Sequence, residues 1–471
     1  MNFCPMKNLL FLILCLAAVA CSNDDQPESN PSNPNPAAEL FSLDDVPEIE
    51  LQFSLEQWNE LLNNYDINLK NEKKVVSRFT FKVNGQTVVL DSIGLKLRGN
   101  TSRRRPEGTT GNLHNVGNPD WNHCHFGLDF DKNRAGQRFR GLSKLNLKWF
   151  KDDANYVREI YSYDLFRRFG VWTAPRASYC RLTIKVEGDT APAYYGVYAM
   201  LESVDEDYIT QRATNWGNTT GFIWKGSNIG NAKADFVSIS SMGVEDVKMN
   251  PANSLYYAYD LKTRKDELES AKTELTNFIN DLNTKTGAEF QSWISQKMDI
   301  DLFLKTYAVN VMVGMWDDYW VNGNNFYFYF ATDGKAYFIP YDYDNTLGTS
   351  QIMANSGIQN PLNWGQASNR PLITKILAIP EYQHKYKQYI SELADVGNDL
   401  FAASRSKPRI AAWQAMISPY VSNDTGEDMS IGDEPASWGN SPFYRLSSGN
   451  ALGGSNGTAN WFSSRVQSVP W

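Results

Sequence analysis

Apolar and polar positions along this chain change rhythm several times, and each rhythm predicts a different element. Residues 9–20, LLFLILCLAAVA, form an unbroken apolar run after a lysine at position 7. The run is too short for a stable bilayer span and closes on small residues, the form of a removable export signal over 1–20. The next stretch, SNDDQPESNPSNPNPAAEL at 22–40, is rich in Pro, Asn and Ser and nearly free of large apolar side chains. It cannot bury a core, so 21–40 reads as a disordered tether. Alternation begins near Phe41: VPEIELQFSLEQWNELL predicts a strand then a helix, and VVSRFTFKVNGQTVVLDSIGLKLRGN a hairpin turning at Asn84-Gly85.

Residues 101–124 are rich in Gly, Asn and Pro and read as a loop, after which FGLDFDK and LSKLNLKWF alternate as strands. DDANYVREIYSYDLFRRFG places Tyr156, Ile160, Tyr163 and Phe166 at helical spacing and stops at Gly170. YCRLTIKV and YYGVYAMLESVD return to strand. Beyond them helical periods predominate, at about 262–282, 299–316, 370–395 and 400–418, interrupted by one aromatic hairpin at 325–341. The pattern is that of an α+β fold, β-rich in its amino-terminal part and mainly helical in its carboxy-terminal part. One domain covers 41–420, and a loop-rich extension with a short terminal helix covers 421–471.

The segment WDDYWVNGNNFYFYFATDGKAYFIPYDYD carries the densest chemistry. Asp333-Gly334 is a favoured two-residue turn, and counting outward pairs Phe330 with Tyr337, Phe328 with Ile339 and Asn325 with Asp342. Directly opposed residues have Cβ atoms about 4.5–5.5 Å apart, so an amide oxygen and a carboxylate could share a cation. Alternation puts Asp344 on the same face as Asp342. One amide with one or two carboxylates suits Mg²⁺, a hard ion that takes oxygen ligands and keeps waters. His114, His123, His125 and His384 are too few and too scattered for zinc. Asp317 and Asp318 close the apolar helix IDLFLKTYAVNVMVGMW. A carboxylate eight residues before Asn325 could orient and deprotonate a hydroxyl, or be a solvated helix-end acid, just as DYD could be a structural calcium or turn site.

Composition narrows the partners. With 471 residues, 42% hydrophobic and 13% aromatic, the chain can bury a sizeable core and is not a disordered polymer. Its 53 acids against 45 bases leave a net charge of -8 and no global field for nucleic acid, so a protein, small molecule or glycan is the expected partner. Export places the chain where disulfides persist; with Cys4 and Cys15 removed, Cys124 and Cys180 remain, and their spacing does not decide whether they pair. AVAC at 18–21 resembles a bacterial lipobox with Cys21 as the lipidated residue, and the acids that follow resemble the surface-export signal of Bacteroidetes lipoproteins. That resemblance implies an outer-membrane lipoprotein facing the periplasm or the cell surface, with the lipid as its only membrane contact.

In order along the chain, LKLRGNTS, KLNLKWFKDDANYVREIYSYDLFRRFGVWTAPRASY, YYGVYAMLESVD, GFIWKG, WDDYWVNGNNFYFYF, GKAYFIPYDYDNTLG and RPLITKILAIPEYQHKY resemble the spore coat protein H (CotH) kinase family over about residues 45–395. The resemblance implies a divergent protein-kinase-like fold with a cleft for ATP and Mg²⁺ or Mn²⁺, and transfer of the γ-phosphoryl group to a protein Ser or Thr hydroxyl. Carried over, Asp317 is similar to the catalytic-loop aspartate, Asn325 to the metal-binding asparagine and Asp342 to the metal-binding aspartate, with Asp344 auxiliary. Lys144, Asn146 and Lys148 share a strand face, and Lys148 is the implied phosphate-facing lysine, a solvated edge lysine being the alternative. Glu202 is implied to orient a lysine or metal, or to be an exposed strand-end acid. Lys225 and Asn100 stand in matching blocks, as does Arg98, which either forks onto phosphate or clamps a carboxylate; Arg158 is expected to anchor its helix. No glycine-rich phosphate loop is present, and PDWNHCH stands where relatives carry basic and aromatic residues, so His123 or His125 replaces the usual lysine. Two other readings use the same scaffold: a non-catalytic assembly or glycan-binding lipoprotein drawing on 14 Trp and 24 Tyr, and a phosphotransferase acting on a sugar or other small hydroxyl compound.

Overall fold

The computed structural model describes residues 36–151, 153–349, 356–365, 369–426, 443–448 and 461–471. The expected signal segment, Cys21 and most of the tether lie outside the described residues. The tether's last residues do not: Pro36–Leu40 form a short helix, α1, with Ala37 and Leu40 buried. Strands β1 (Glu48–Phe53), β2 (Val75–Val83), β3 (Gln86–Arg98), β4 (His125–Asp129), β5 (Lys144–Lys148), β6 (Ala177–Val186) and β7 (Ala193–Glu202) close into a barrel of order β1-β2-β3-β4-β5-β7-β6. Parallel pairing of β1 with β6 seals it. The Asn84-Gly85 turn forms as predicted. Val83 faces Gln86 and both turn residues are left-handed, at φ 49° and 78°, which matches the twist of the strands. Helix α2 (Leu55–Ile67) starts where Ser54 Oγ accepts the Gln57 N–H.

A second, five-stranded sheet holds β8 (Gly221–Gly226), β9 (Met242–Gly243), β10 (Tyr259–Leu261), β11 (Phe326–Ala331) and β12 (Ala336–Pro340) in the order β12-β11-β8-β10-β9. Helix α3 (Arg158–Arg168) lies between β5 and β6 in sequence; α4 (Glu206–Gln211) and α5 (Ala213–Trp216) precede β8. Helices α6 (Leu268–Thr284), α7 (Gly287–Lys297), α8 (Ile300–Val313), α9 (Tyr319–Asn322), α10 (Pro371–Leu377), α11 (Pro380–Ala394), α12 (Ala403–Ile417), α13 (Arg445–Ser448) and α14 (Trp461–Gln467) complete a mixed α+β architecture. The helix expected over 370–395 is two helices, because Pro380 cannot donate within a continuous one and starts α11 instead. Helix α8 is apolar all round and almost wholly buried, Asp299 capping its start and left-handed Gly314 its end. No helix among the described residues is long and apolar enough to cross a membrane.

The aromatic hairpin departs from its predicted register. Ala331 N–H donates to Lys335 O at 2.9 Å and Gly334 N–H to Ala331 O at 3.1 Å, a three-residue loop with Gly334 at φ 86°. The Asp333 carboxylate accepts the Lys335 N–H at 3.0 Å and favours this longer turn. Phe330 therefore faces Ala336, Phe328 faces Phe338, and the ladder ends at Phe326 opposite Pro340. The predicted pairs Phe330–Tyr337, Phe328–Ile339 and Asn325–Asp342 are corrected by one residue, and neither Asn325 nor Asp342 lies within the ladder. The hairpin is also not alone, since β8, the GFIWKG segment, pairs along the other edge of β11.

Aromatic side chains build the core. Among the described residues with large exposed apolar side chains, only Tyr444 and Trp471 are aromatic, so packing accounts for the aromatic content. Cys124 and Cys180 are both buried, and no disulfide joins them. Gly226 shows how tight the second sheet is: a Cβ there would lie 2.3 Å from the Phe326 ring. Gly226→Val is expected to lower stability by about 1–3 kcal/mol through overpacking, read as a lower midpoint in urea unfolding; an unchanged midpoint would mean that the ring moves freely.

Candidate active site

Lys148 ends β5 and points at three carboxylates. Its ammonium lies 2.6 Å from Asp342, 2.9 Å from Asp344 and 2.8 Å from Glu159. Burial alone would push its pKa down, but Asp342, Asp344 and Glu159 outweigh burial and hold it well above the ordinary lysine value. Glu159 arrives on the first turn of α3. That turn is organised by Asp153, whose carboxylate accepts the N–H groups of Val157 (3.0 Å) and Arg158 (2.9 Å) and pairs with the Arg158 guanidinium at 2.6 Å. Arg158 then donates from Nε to Thr346 O at 3.0 Å, and the Tyr163 hydroxyl accepts the Asp342 N–H at 3.0 Å. One helix thus supplies a carboxylate to Lys148 and pins the segment that carries Asp342 and Asp344.

Asn325 and Asp342 flank the aromatic hairpin in left-handed backbone, at φ 53° and 63°. For non-glycine residues such geometry costs about 1–3 kcal/mol and persists only where the surroundings enforce it. Here it turns both side chains away from the ladder. The Asp317 carboxylate accepts Nδ2 of Asn322 at 2.6 Å, of Asn324 at 3.1 Å and of Asn325 at 3.0 Å. Burial pushes its pKa up; the Asn322 and Asn324 amides offset this only in part, and nearby Asp342 adds to the rise. Asp318 faces elsewhere. It caps α9 by accepting the Val321 N–H at 2.8 Å, accepts Asn310 Nδ2 at 2.6 Å, and is pushed up by burial to about 7.

The remaining sequence candidates divide. Arg98 donates from Nη2 to the Tyr341 hydroxyl at 2.8 Å, and Lys225 stands opposite Tyr327 on β11. Burial raises the Asp342 pKa, but Lys148, then Arg98 and Lys225, outweigh it and hold the carboxyl below its usual range. Glu202 lies apart from this group. It is fully buried between Arg176, at 2.5 Å, and Arg212, at 2.7 Å, so neither oxygen is left for a lysine or a nucleotide, and the expected ligand role is corrected to a structural one. The lysine's helix-borne partner is Glu159, which sequence reading missed. Its signal was an acid directly beside the apolar stripe of Tyr156, Ile160 and Tyr163, on a helix buried from Arg158 to Phe166.

The donor set fits a hard divalent cation. Asp344 Oδ1 and Glu159 Oε1 are buried without partners, and the Asn325 carbonyl oxygen remains once its Nδ2 is spent on Asp317. Burial raises the Asp344 pKa to about 8, a charge that a cation would restore. Among the described residues no group of three or more His, Cys, Asp or Glu is placed to hold a metal. The chain therefore offers an incomplete oxygen shell, and water and phosphate oxygens would fill the remainder, as is usual for Mg²⁺.

Glu202 gives a sharp test of the electrostatics. Burial would raise its pKa, but Arg212 and Arg176 outweigh burial and hold it at about 2, below its ordinary 4.5. Its ionised form therefore stabilises the fold above pH 4.5, and this contribution fades as pH falls toward about 2. Glu202→Gln is expected to cost on the order of 3 kcal/mol near neutral pH, with the gap to wild type narrowing on acidification. Urea unfolding across that range measures it, and a pH-independent gap would refute the assignment.

The family model described as CotH kinase protein matches residues 108–445, more than half of the 471-residue chain. That span includes Lys148, Glu159, Asp317, Asn325, Asp342 and Asp344, while Arg98 precedes it. The chain is also similar to the inner spore coat protein H of Bacillus subtilis (strain 168), 28% identical over 290 residues that cover 61% of this chain and 71% of that protein. The chain belongs to the CotH kinase family.

Proposed function

We propose that this protein is a metal-dependent phosphotransferase that moves the γ-phosphoryl group of ATP to the hydroxyl of a protein Ser or Thr. The barrel and the second sheet with its helices would act as the two lobes of a kinase-like cleft. The observation that carries the reading is the Lys148 ammonium, held at once by Glu159 from α3 and by Asp342 and Asp344 from the segment after β12. A strand lysine paired to a helix glutamate, next to a metal-binding aspartate, is the arrangement by which kinases position ATP.

Lys148 would exchange part of its contact with Asp342 for phosphate oxygens, steadied by Glu159. Asp342, Asn325 and Asp344 would hold Mg²⁺ or Mn²⁺, which supplies neutralisation of charge on the transferring group. Arg98 and Lys225 add positive charge in the surroundings of Asp342. Asp317, fixed by three amides, orients the acceptor hydroxyl. As that oxygen bonds to the γ-phosphorus, the bond to the β–γ bridging oxygen breaks, ADP leaves and the hydroxyl proton passes to Asp317.

Asp317→Asn is expected to lower kcat by about 100-fold or more while ATP affinity stays within about three-fold, whereas Asp342→Ala abolishes metal-dependent ATP binding. Activity should fall on the acid side at a pH above the ordinary aspartate value of 3.8, because Asp317 must be ionised and its pKa is raised. Transfer of labelled phosphate from ATP, with Mg²⁺ or Mn²⁺ and protein acceptors, measures turnover and its pH profile, and calorimetric titration with ATP and metal measures binding. Absence of transfer by the wild type would defeat the proposal, and label on sugars alone would move the acceptor to small hydroxyl compounds.

The same reading anchors the mature chain to the outer membrane through lipid on Cys21, with no other membrane contact. Cys21→Ser is expected to end incorporation of labelled palmitate and to release the protein into the soluble fraction. Unchanged labelling would refute the anchor.

A further inference from the structure

The β-ladder places Arg98 at the end of β3 directly opposite His125 at the start of β4, and the β4–β5 register, Phe126 against Leu147, brings His125 beside Lys148. Three neighbouring strands thus set Arg98, His125 and Lys148 in one row at the same end of the barrel, and opposed residues share a face. The outer two members reach the segment after β12: Arg98 touches Tyr341 and Lys148 touches Asp342. The middle member has no such partner. His125 is 1% exposed; its Nδ1 accepts the Trp149 N–H at 3.1 Å, and its Nε2 is buried without a hydrogen-bond partner.

The Trp149 contact fixes the tautomer. With Nδ1 accepting, the ring proton sits on Nε2, which is then a donor and cannot ligate a metal. Burial, followed by the charges of Lys148, Arg98 and Lys151, pushes the His125 pKa well below its ordinary value, so the ring stays a neutral donor. Its Cδ2 lies against the turn that starts at Gly99, because a Cβ on residue 99 would come 3.2 Å from it. Gly99 has φ 109°, so only a residue without a side chain allows this approach. A buried donor without an acceptor carries a desolvation cost that a ligand oxygen would relieve. His123 does not share this situation: Nε2 lies 2.8 Å from Tyr195 O and Nδ1 3.1 Å from Thr425 Oγ1.

We infer that His125 Nε2–H is a ligand-binding donor, reserved for a phosphate oxygen of a polyphosphate held between Arg98 and Lys148. The inference deepens the phosphotransferase reading by naming the group that completes its phosphate site. It also explains how this chain manages with a neutral imidazole between two cations: the flanking pair supplies the charge, and the histidine supplies direction.

The test uses the full chain with Mg²⁺ and two probes, ATP and inorganic tripolyphosphate, titrated by calorimetry into wild type, His125→Phe and His125→Gln. His125→Phe is expected to bind both probes about ten-fold more weakly, with His125→Gln, which keeps an N–H donor, within about three-fold of wild type. In wild type the ring ¹⁵N resonance of His125 should shift when tripolyphosphate is added. Equal affinities in His125→Phe and wild type, or a stationary resonance, would overturn the inference and mean that water satisfies the donor. Tripolyphosphate binding without ATP binding would keep the inference and sink the kinase reading, ATP binding indifferent to His125→Phe would do the reverse, and binding of neither probe would sink both. Should His125→Phe fail to fold, the wild-type resonance alone decides.

Discussion

Everything at the candidate site depends on one ammonium group surrounded by more negative charge than it can neutralise. Lys148 meets Glu159, Asp342 and Asp344 within 2.9 Å. Removing several charges from water is repaid only when the geometry is close and the partners are opposite in sign. With one cation for three acids, the repayment is incomplete. The orphaned oxygens of Asp344 and Glu159 and the raised Asp344 pKa record that shortfall, and a divalent ion with anionic phosphate would correct it.

Helix α3 makes the imbalance tolerable. Its first turn is fixed by Asp153, its Arg158 holds Thr346 O, and its Tyr163 holds the Asp342 backbone. The acids therefore cannot drift apart to relieve repulsion, because the segment that carries two of them is tied to the helix that carries the third. Left-handed backbone at Asp342 is retained for the same reason, and Asn325 is held by its Nδ2 bond to Asp317.

Legibility in the sequence followed how local each cause is. Asn84-Gly85 dictates its turn from two residues and was readable; the aromatic hairpin was readable as a hairpin, but its register turned on whether Asp333-Gly334 or Thr332–Gly334 made the loop, a choice settled by the Asp333 side chain. Asp317, Asn325, Asp342 and Asp344 stood out as candidates because polar residues cluster around an apolar hairpin. The glutamate partner of Lys148 was not: along the chain the role fell to Glu202, and Glu159, inside a helical apolar stripe, was passed over. Only the third dimension shows Arg176 and Arg212 closing around Glu202. Alternation alone likewise grouped Lys148 with Lys144, whose nearest acids are Asp205 and Glu206.

Helix α14 has a consequence for where the folding unit stops. Its Trp461 donates from Nε1 to Met312 O at 3.1 Å and packs its indole where Gly314 has no side chain, while Arg465 donates to Val311 O. These contacts seal the carboxy-terminal end of α8, four residues before Asp317. The stretch by which relatives recognise the chain ends at residue 445, short of α14, and begins at 108, after the three strands that open the barrel. A fragment trimmed to those limits would thus lack both a wall of its barrel and the plug at the end of α8, so ancestry marks out a smaller piece of this polypeptide than mechanics requires.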